Sequence, residues 1–402
     1  MTLLPCILDK TEPFLRILDD HARKGDVFSL DTLTTNLTFD IIGAVVMDTE
    51  FEAQKDQQSE FLRLYQELVS SYHQNGNPVL PGWIFLRRKW RRNRLARKVD
   101  ALLKDMIRKK HVEHSRSLSL KNQKPRSVLD LSFQDIPEQE LTEDMLQTAA
   151  DQIKTFLFAG HDTTSILLGW MCYDLSRTPH ALRAVRAELD SLFGPDPDPA
   201  IVREKLLSEE GPDILNSMSY ASAVIKESLR LHPPAGTARM APPGSGFTVR
   251  TPGPDGKEVC LDGLVIYQCH HIIQRDKSVY GETADDFVPE RWLVDGSGGA
   301  ELGADSAGTA ATEGGIPPGA WRPFERGPRN CIGQALATIE ARVILAVIAR
   351  RYDFIKVGLG ELEVDKELDE KGQYRTKSEL YITRQVTTRS VDWMRMKVKR
   401  VA

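Results

Sequence analysis

Cys331 is singled out by its surroundings. It lies in the run Phe324-Glu325-Arg326-Gly327-Pro328-Arg329-Asn330-Cys331-Ile332-Gly333, a glycine- and proline-bearing bend that leads into an apolar helix. Unpaired backbone N–H groups and the positive end of a helix dipole favour an anionic sulfur there, and a metal ion favours it further. Such a thiolate can ligate iron. Gly327 and Gly333 remove side chains where a flat macrocycle would approach the backbone, Phe324 is placed to shield the sulfur, and Arg329 can meet a carboxylate. On its own, a cysteine after a tight turn is most often a buried inert thiol, so the surrounding pattern carries the reading.

A second group lies upstream, in Ala159-Gly160-His161-Asp162-Thr163-Thr164. Gly160 weakens a helical ladder and Thr163 can hydrogen-bond backward, so a local kink is expected to open a groove. Asp162 and Thr163, an acid beside an alcohol, can relay protons to bound oxygen. The plainer alternative is a cap-like pair in a broken helix. Glu227 and Arg230 stand three apart on one helical face and can pair, although such a pair alone is usually a surface contact of little worth. His232 follows a helix end with no second ligand-like residue nearby and reads as structural.

These groups need scaffolding, and the spacing supplies it. Thr142 is a good N-cap for a striped segment in which Ala149, Ile153, Phe156, Gly160, Thr164, Leu167 and Met171 recur at steps of three or four. The pattern predicts a buried central helix of about 50 Å, running to about Arg177 before Pro179 opens the next helix. Residues 26–47, with Leu33, Leu37, Ile41 and Val45, predict another packed helix, as do residues 214–231 before His232-Pro233-Pro234. Residues 194–199 are a turn-rich connector. Short β-prone pieces fall around 247–249, 259–261 and 264–267, and a final helix is predicted to begin near Cys331. Residues 295–319, rich in Gly and Ala, predict a mobile surface loop. Eight basic residues crowd into 87–98, where a solvated helix face is the plain expectation and contact with a membrane or acidic partner the alternative.

With 402 residues, 41% hydrophobic and 27% charged, the chain can bury one large core or two. Its 53 basic and 57 acidic residues leave a net charge of −4 and no global basic field to hold nucleic acid. The scattered Cys6, Cys172, Cys260, Cys269 and Cys331 form no CxxC pair, which argues against a disulfide framework or zinc site and fits a reduced, intracellular setting. The opening residues contain a proline and charges and lack the apolar run of a signal or transmembrane segment. The sequence as it stands therefore reads as unanchored and cytoplasmic.

Residues 324–333 match the haem-binding signature Phe-x-x-Gly-x-Arg-x-Cys-x-Gly, and the chain resembles the cytochrome P-450 family of haem-thiolate monooxygenases. Three further matches fall in the family's order. Residues 159–164 are similar to its oxygen-binding helix motif, Glu227-Ser228-Leu229-Arg230 to its Glu-x-x-Arg, and Pro289-Glu290-Arg291-Trp292 to its Pro-Glu-Arg-aromatic segment. The resemblance implies a mainly α fold with small β-sheets (α+β), with residues 1–402 as one haem-thiolate catalytic domain. It implies haem b, iron protoporphyrin IX, with Cys331 as the axial iron ligand, Phe324, Arg329, Gly333 and Gly160 against the group, and Arg239 on a propionate. Asp162 and Thr163 become catalytic, and Glu227, Arg230 and Arg291 a buried structural network. Phe156, Phe158, Ala159, Ala235, Gly236, Thr237, Val386 and Thr387 would line the substrate pocket.

The implied reaction inserts one oxygen atom from O2 into a small apolar organic substrate, using electrons from NADPH delivered by a flavoprotein, NADPH–cytochrome reductase. Residues 321–334 are similar to filamentous-fungal microsomal members, which often modify polyketides, terpenoids or other secondary metabolites. The resemblance thus implies a monomer on the cytosolic face of the endoplasmic reticulum membrane. It runs from about Asp26 to the C-terminus, and the family's N-terminal anchor, first helices and first strands have no counterpart, so a truncated form of the fold is expected. Trp90-Arg91-Arg92-Asn93-Arg94 imitates a propionate-binding pattern of that portion but lies too close to residues 159–164, and is taken as coincidence. Two other readings stay open. One is a haem-thiolate isomerase, dehydratase or peroxygenase, against which Asp162 with Thr163 argues; the other is a non-catalytic haem-binding remnant.

Overall fold

The computed structural model describes residues 3–73, 82–118, 127–133, 141–251, 255–293, 316–317, 319–363, 365, 367–384 and 387–401. Among them the chain forms α1 (Leu3–Lys24), β1 (Phe28–Ser29), α2 (Leu30–Met47), α3 (Glu60–His73), α4 (Gly82–Leu118), α5 (Val128–Phe133) and α6 (Glu143–Arg177). Next come α7 (Pro179–Phe193), α8 (Pro199–Leu207), α9 (Gly211–Asn216), α10 (Ser219–Leu231), β2 (Thr237–Met240), β3 (Thr248–Arg250), β4 (Glu258–Cys260) and β5 (Val265–Gln268). After α11 (His270–Ile273), α12 (Lys277–Tyr280) and the 3₁₀ turn Pro289–Trp292, the chain closes with α13 (Gln334–Arg351), β6 (Tyr352–Lys356), β7 (Ile382–Arg384), β8 (Thr388–Ser390) and β9 (Arg395–Arg400). The fold is mainly α with small antiparallel sheets, β1-β9-β6, β2-β5, β3-β4 and β7-β8.

Helix α6 begins as its sequence dictates. Thr142 Oγ1 accepts from the Met145 N–H at 3.3 Å, and Glu143 and Asp144 oppose the dipole in the first turn. Its 35 residues span about 52 Å. One end of α6 (Leu146, Ala150, Ile153, Leu157) sits in an apolar cluster with Phe39, Phe51, Phe61, Leu103 and Ile107. The other end (Ile166 to Leu175) sits in a larger cluster with Leu18, Leu37, Val224, Ile344 and Tyr352. Each Leu, Ile or Phe fully buried this way contributes about 1.5–3 kcal/mol. Helix α2 packs along α6 more extensively than any other pair of described elements meets. It is long and apolar enough to cross a membrane, but 72% of it is buried inside the molecule, as befits a core helix.

Three expectations shift. The helix expected over 26–47 starts at Leu30, because Phe28 and Ser29 pair with Met396 and Arg395 of β9 and Ser29 Oγ caps the Thr32 N–H at 3.1 Å. The helix expected over 214–231 is two, α9 and α10. The N–H groups of Tyr220 and Ala221 are taken at 2.5 and 2.8 Å by the carboxylate of Glu188 from α7, which gives α10 its own start. The last helix begins at Gln334 and leaves Cys331 in the preceding turn. Strand β2 falls where no strand was expected. Of the loop at 295–319, all but 316, 317 and 319 lie outside the described residues. On α4, Arg87, Lys89, Arg91, Arg94, Arg97 and Lys98 are exposed, and Arg94 lies over the exposed Trp90 ring at 5.7 Å, so this pair forms an outer face of the helix.

Candidate active site

The bend before α13 is closed by backbone bonds. The Cys331 N–H donates to the Phe324 carbonyl at 2.8 Å, and the Asn330 N–H to the Gly327 carbonyl at 3.0 Å. Glu325 (φ 59°) and Gly327 (φ 81°) are both left-handed. Glycine is at ease there, whereas a glutamate costs about 1–2 kcal/mol. Side-chain contacts offset this: the buried His270 ring has Nε2 2.8 Å from Glu325 Oε1 and Nδ1 3.0 Å from the Ala235 carbonyl oxygen, and Arg239 lies 3.7 Å from Glu325 Oε2. The Cys331 thiol is exposed, and the apolar Ile332 beside it is 87% exposed. Among the described residues a Cβ on Gly333 would meet only the Cys331 sulfur, at an ordinary 3.7 Å. The protein itself thus leaves room for a side chain at Gly333, and only a group laid against the bend would require glycine. Phe324 is half-buried and edge-on to Trp321 at 6.1 Å; Arg329 is exposed.

Helix α6 stays α-helical through residues 159–164 rather than breaking. The backward bond does form: Thr163 Oγ1 donates to the Ala159 carbonyl at 2.8 Å, with Ala159 exposed and Thr163 half-buried. Gly160 has a packing role instead of facing a groove, since a Cβ there would come within 2.5 Å of Ile42 on α2. Thr38 and Thr34 of α2 donate to the carbonyls of His161 and Ser165 at 2.7 and 3.2 Å, so hydroxyls line this contact.

Asp162 and Thr163 do not face one another, because consecutive helical residues point about 100° apart. Asp162 is buried, paired with Arg389 of β8 and hydrogen-bonded by the Thr387 hydroxyl, and Arg389 also pairs with Asp31 of α2. Burial alone would push Asp162 up; the Arg389 guanidinium, with His161 and the Thr387 hydroxyl, holds it below the usual carboxylate range. Burial leaves Asp31 above that range despite the same guanidinium.

Glu227 and Arg230 are fully buried, unlike a typical i,i+3 pair. Arg230 Nε and Nη2 each donate to the Glu227 carboxylate at 2.8 Å, joined by Arg291 Nε at 3.0 Å and Trp292 Nε1 at 2.9 Å. Arg230 also donates to the Gln274, Ala284 and Asp286 carbonyls, binding α10 to the segment leading toward the bend. His232 is packed in the core, stacked on Trp170 at 3.8 Å with Nε2 3.1 Å from Asp174 Oδ1.

The remaining pocket residues separate. Phe156 and Phe158 are half-buried and pack on the smaller cluster. Gly236 gives way to the Tyr267 hydroxyl, which a Cβ would meet at 2.1 Å, and Thr237 Oγ1 accepts from Arg239 at 2.7 Å. Thr387 is buried on Asp162, so it is not free to line a pocket; Val386 lies outside the described residues. Thr388 is tied to the carbonyls of Pro233 and Pro234 at 2.7 and 2.9 Å, which brings β8, residues 233–237 and the middle of α6 together. Arg389 and Asp31 carry no signal in sequence, being 358 residues apart, and Glu325 and His270 are 55 apart. A cleft of about 650 Å³ lined by Cys172, Tyr352, Lys356, Lys377 and Lys397 contains none of these residues.

The profile of the cytochrome P-450 family matches residues 1–367, so the likeness begins at the first residue and takes in α1, not only the part after Asp26. A relative named cytochrome P-450 monooxygenase acrF, from Aspergillus aculeatus, is 34% identical over 88% of this chain and 69% of its own length. Another, cytochrome P-450 monooxygenase polC from Polytolypa hystricis, is 32% identical over 92% of this chain, which spans 62% of that protein. The crystal structure of the cytochrome P-450DA heme domain superposes with a TM-score of 0.70 at 18% identity, covering 100% of this chain and 74% of that one, and shares the fold. From the closed cysteine bend, the buried Glu227 network and these likenesses together, the chain belongs to the cytochrome P-450 family of oxidoreductases, the monooxygenases.

Proposed function

We propose that the protein is a haem-thiolate monooxygenase that places one oxygen atom from O2 on a small apolar organic substrate, a fungal secondary metabolite of polyketide or terpenoid type. The observation that carries this is the exposed Cys331 thiol on a closed bend, beside an uncovered Ile332 and a glycine that no packing among the described residues demands. A soft sulfur donor with an apolar, side-chain-poor surround fits iron protoporphyrin IX. When bound, the haem supplies dioxygen activation. Cys331 would hold the iron, Gly333 would leave it space, Phe324 would lie behind the bend, and Arg239 and Arg329 would meet the propionates. Thr163 Oγ1 holds a proton over the Ala159 carbonyl and Asp162 is the acid that resupplies it. Ala159, Ala235 and Thr237 border the substrate. Electrons come from NADPH through a flavoprotein reductase, with the protein working as a monomer at the cytosolic face of the endoplasmic reticulum membrane.

Reconstitution with haem tests the reading. The reduced carbon monoxide adduct is expected to show the thiolate-type spectrum, and Cys331→Ser to lose it. A thiolate spectrum that survives in Cys331→Ser would falsify the ligand assignment. NADPH consumption that requires the reductase separates a monooxygenase from an isomerase, dehydratase or peroxygenase.

A further inference from the structure

Two buried carboxylates from separate helices converge on one guanidinium. Asp31 stands in the first turn of α2, Asp162 in the middle of α6, and Arg389 reaches both from β8. All three are buried, at 4%, 1% and 6% exposure. Thr387, two residues before Arg389, places its hydroxyl on the second oxygen of Asp162, and Thr35 lies 3.3 Å from the guanidinium. One cation between two anions leaves the group one negative charge in excess, away from water, where it costs most.

We infer that Arg389, braced by Asp31, is a positioning residue that grips the Asp162 carboxylate on the side of β8 and so governs when Asp162 can serve Thr163. The inference rests on the proposed role of Asp162 and Thr163 in proton supply. Both Asp162 oxygens are engaged, one by Arg389 and the other by Thr387. Each contact favours the ionised carboxylate, so Asp162 takes up a proton more readily once Arg389 or Thr387 lets go. Thr388 is anchored to Pro233 and Pro234, so the strand that grips Asp162 is also fixed to the segment proposed to border the substrate. The charged and titratable groups facing Asp162 are Arg389 of β8, Asp31 of α2, Tyr65 of α3 and its neighbour His161.

The test uses the full haem-loaded chain and infrared spectroscopy of the protonated-carboxyl stretch, with the Asp162 band identified by its loss in Asp162→Asn. In the unaltered protein Asp162 stays ionised from about pH 8 to pH 5 and shows no such band. Arg389→Met removes the cation and moves the Asp162 titration upward by about one to three units, so a protonated Asp162 band is expected near pH 5, where the unaltered protein shows none. Arg389→Lys retains a charge and suppresses most of that band, a rescue that packing alone does not give. Should Arg389→Met fail to fold, Asp31→Asn serves instead: it leaves the whole cation to Asp162, whose titration in acid is expected to move downward from that of the unaltered protein, and no downward move overturns the inference. A protonated Asp162 band in the unaltered protein at about pH 5, or none at that pH in folded Arg389→Met, overturns the inference. The carbon monoxide spectrum is recorded on the same samples. Its failure would sink the haem-thiolate reading while the infrared result still reports on the clamp.

Discussion

Thr163 spends its only proton on the Ala159 carbonyl one turn back, a bond worth about 0.5–1.5 kcal/mol to folding. Thr163→Ala is therefore expected to fold with little loss. In the reaction the effect is larger, since proton supply by a placed group contributes about a hundredfold or more. Product formed per NADPH should drop at least about tenfold in Thr163→Ala, with peroxide released instead, and Thr163→Ser should recover most of it. Unchanged coupling in the alanine variant would end the relay role. At this scale the cysteine bend and Thr163 were legible because their meaning lies in a few adjacent residues. Asp162 was legible as an acid but not in its orientation, because its partner Arg389 stands 227 residues away.

Among the elements, α10 shows what a buried pair does. Glu227 accepts from Arg230, Arg291, Trp292 and the Val288 N–H, so its carboxylate is the hub joining a helix to the Pro289–Trp292 turn. Glu227→Gln leaves the fully buried Arg230 without its counter-charge, and a loss of about 3–5 kcal/mol is expected in urea unfolding. A variant that melts within about 0.5 kcal/mol of the parent would show the hub to be dispensable. Where α2 crosses α6, Gly160→Val forces a branched side chain onto Ile42 and is expected to cost about 1–3 kcal/mol by the same measurement. Helix starts set by their own residues, such as Thr142 and Pro179, could be read in advance. The division between α9 and α10 could not, because Glu188, which caps the second of them, belongs to another helix.

At the scale of the whole molecule, two buried histidines tie stability to acidity. His161 lies among Phe39, Tyr65 and Phe158 in the smaller core, and His232 is stacked on Trp170 in the larger. Burial lowers the pKa of both rings, outweighing Asp162 beside the first and Asp174 beside the second. Below about pH 6.5 the unfolded chain binds protons that the folded one refuses, so stability is whole above that value and is lost as pH falls toward the depressed folded values. Calorimetric Tm should therefore decline as pH is lowered from about 7 to 5, and His161→Phe should flatten part of the slope. A Tm independent of pH over that range would contradict the assignment of both rings.

Between Leu157 and Ile166 the buried residues of α6 are His161, Asp162, Thr164 and Ser165, and α2 opposes them with Thr34 and Thr38. The proposed chemistry is thus mounted on a fault line between two greasy masses that share rods but little mortar. Interlocked methyl groups resist sliding, whereas polar contacts of this kind can trade one partner for another as the masses shear. A bulky guest wedged at that joint would be felt first by the groups that hold the acid, before either mass is disturbed.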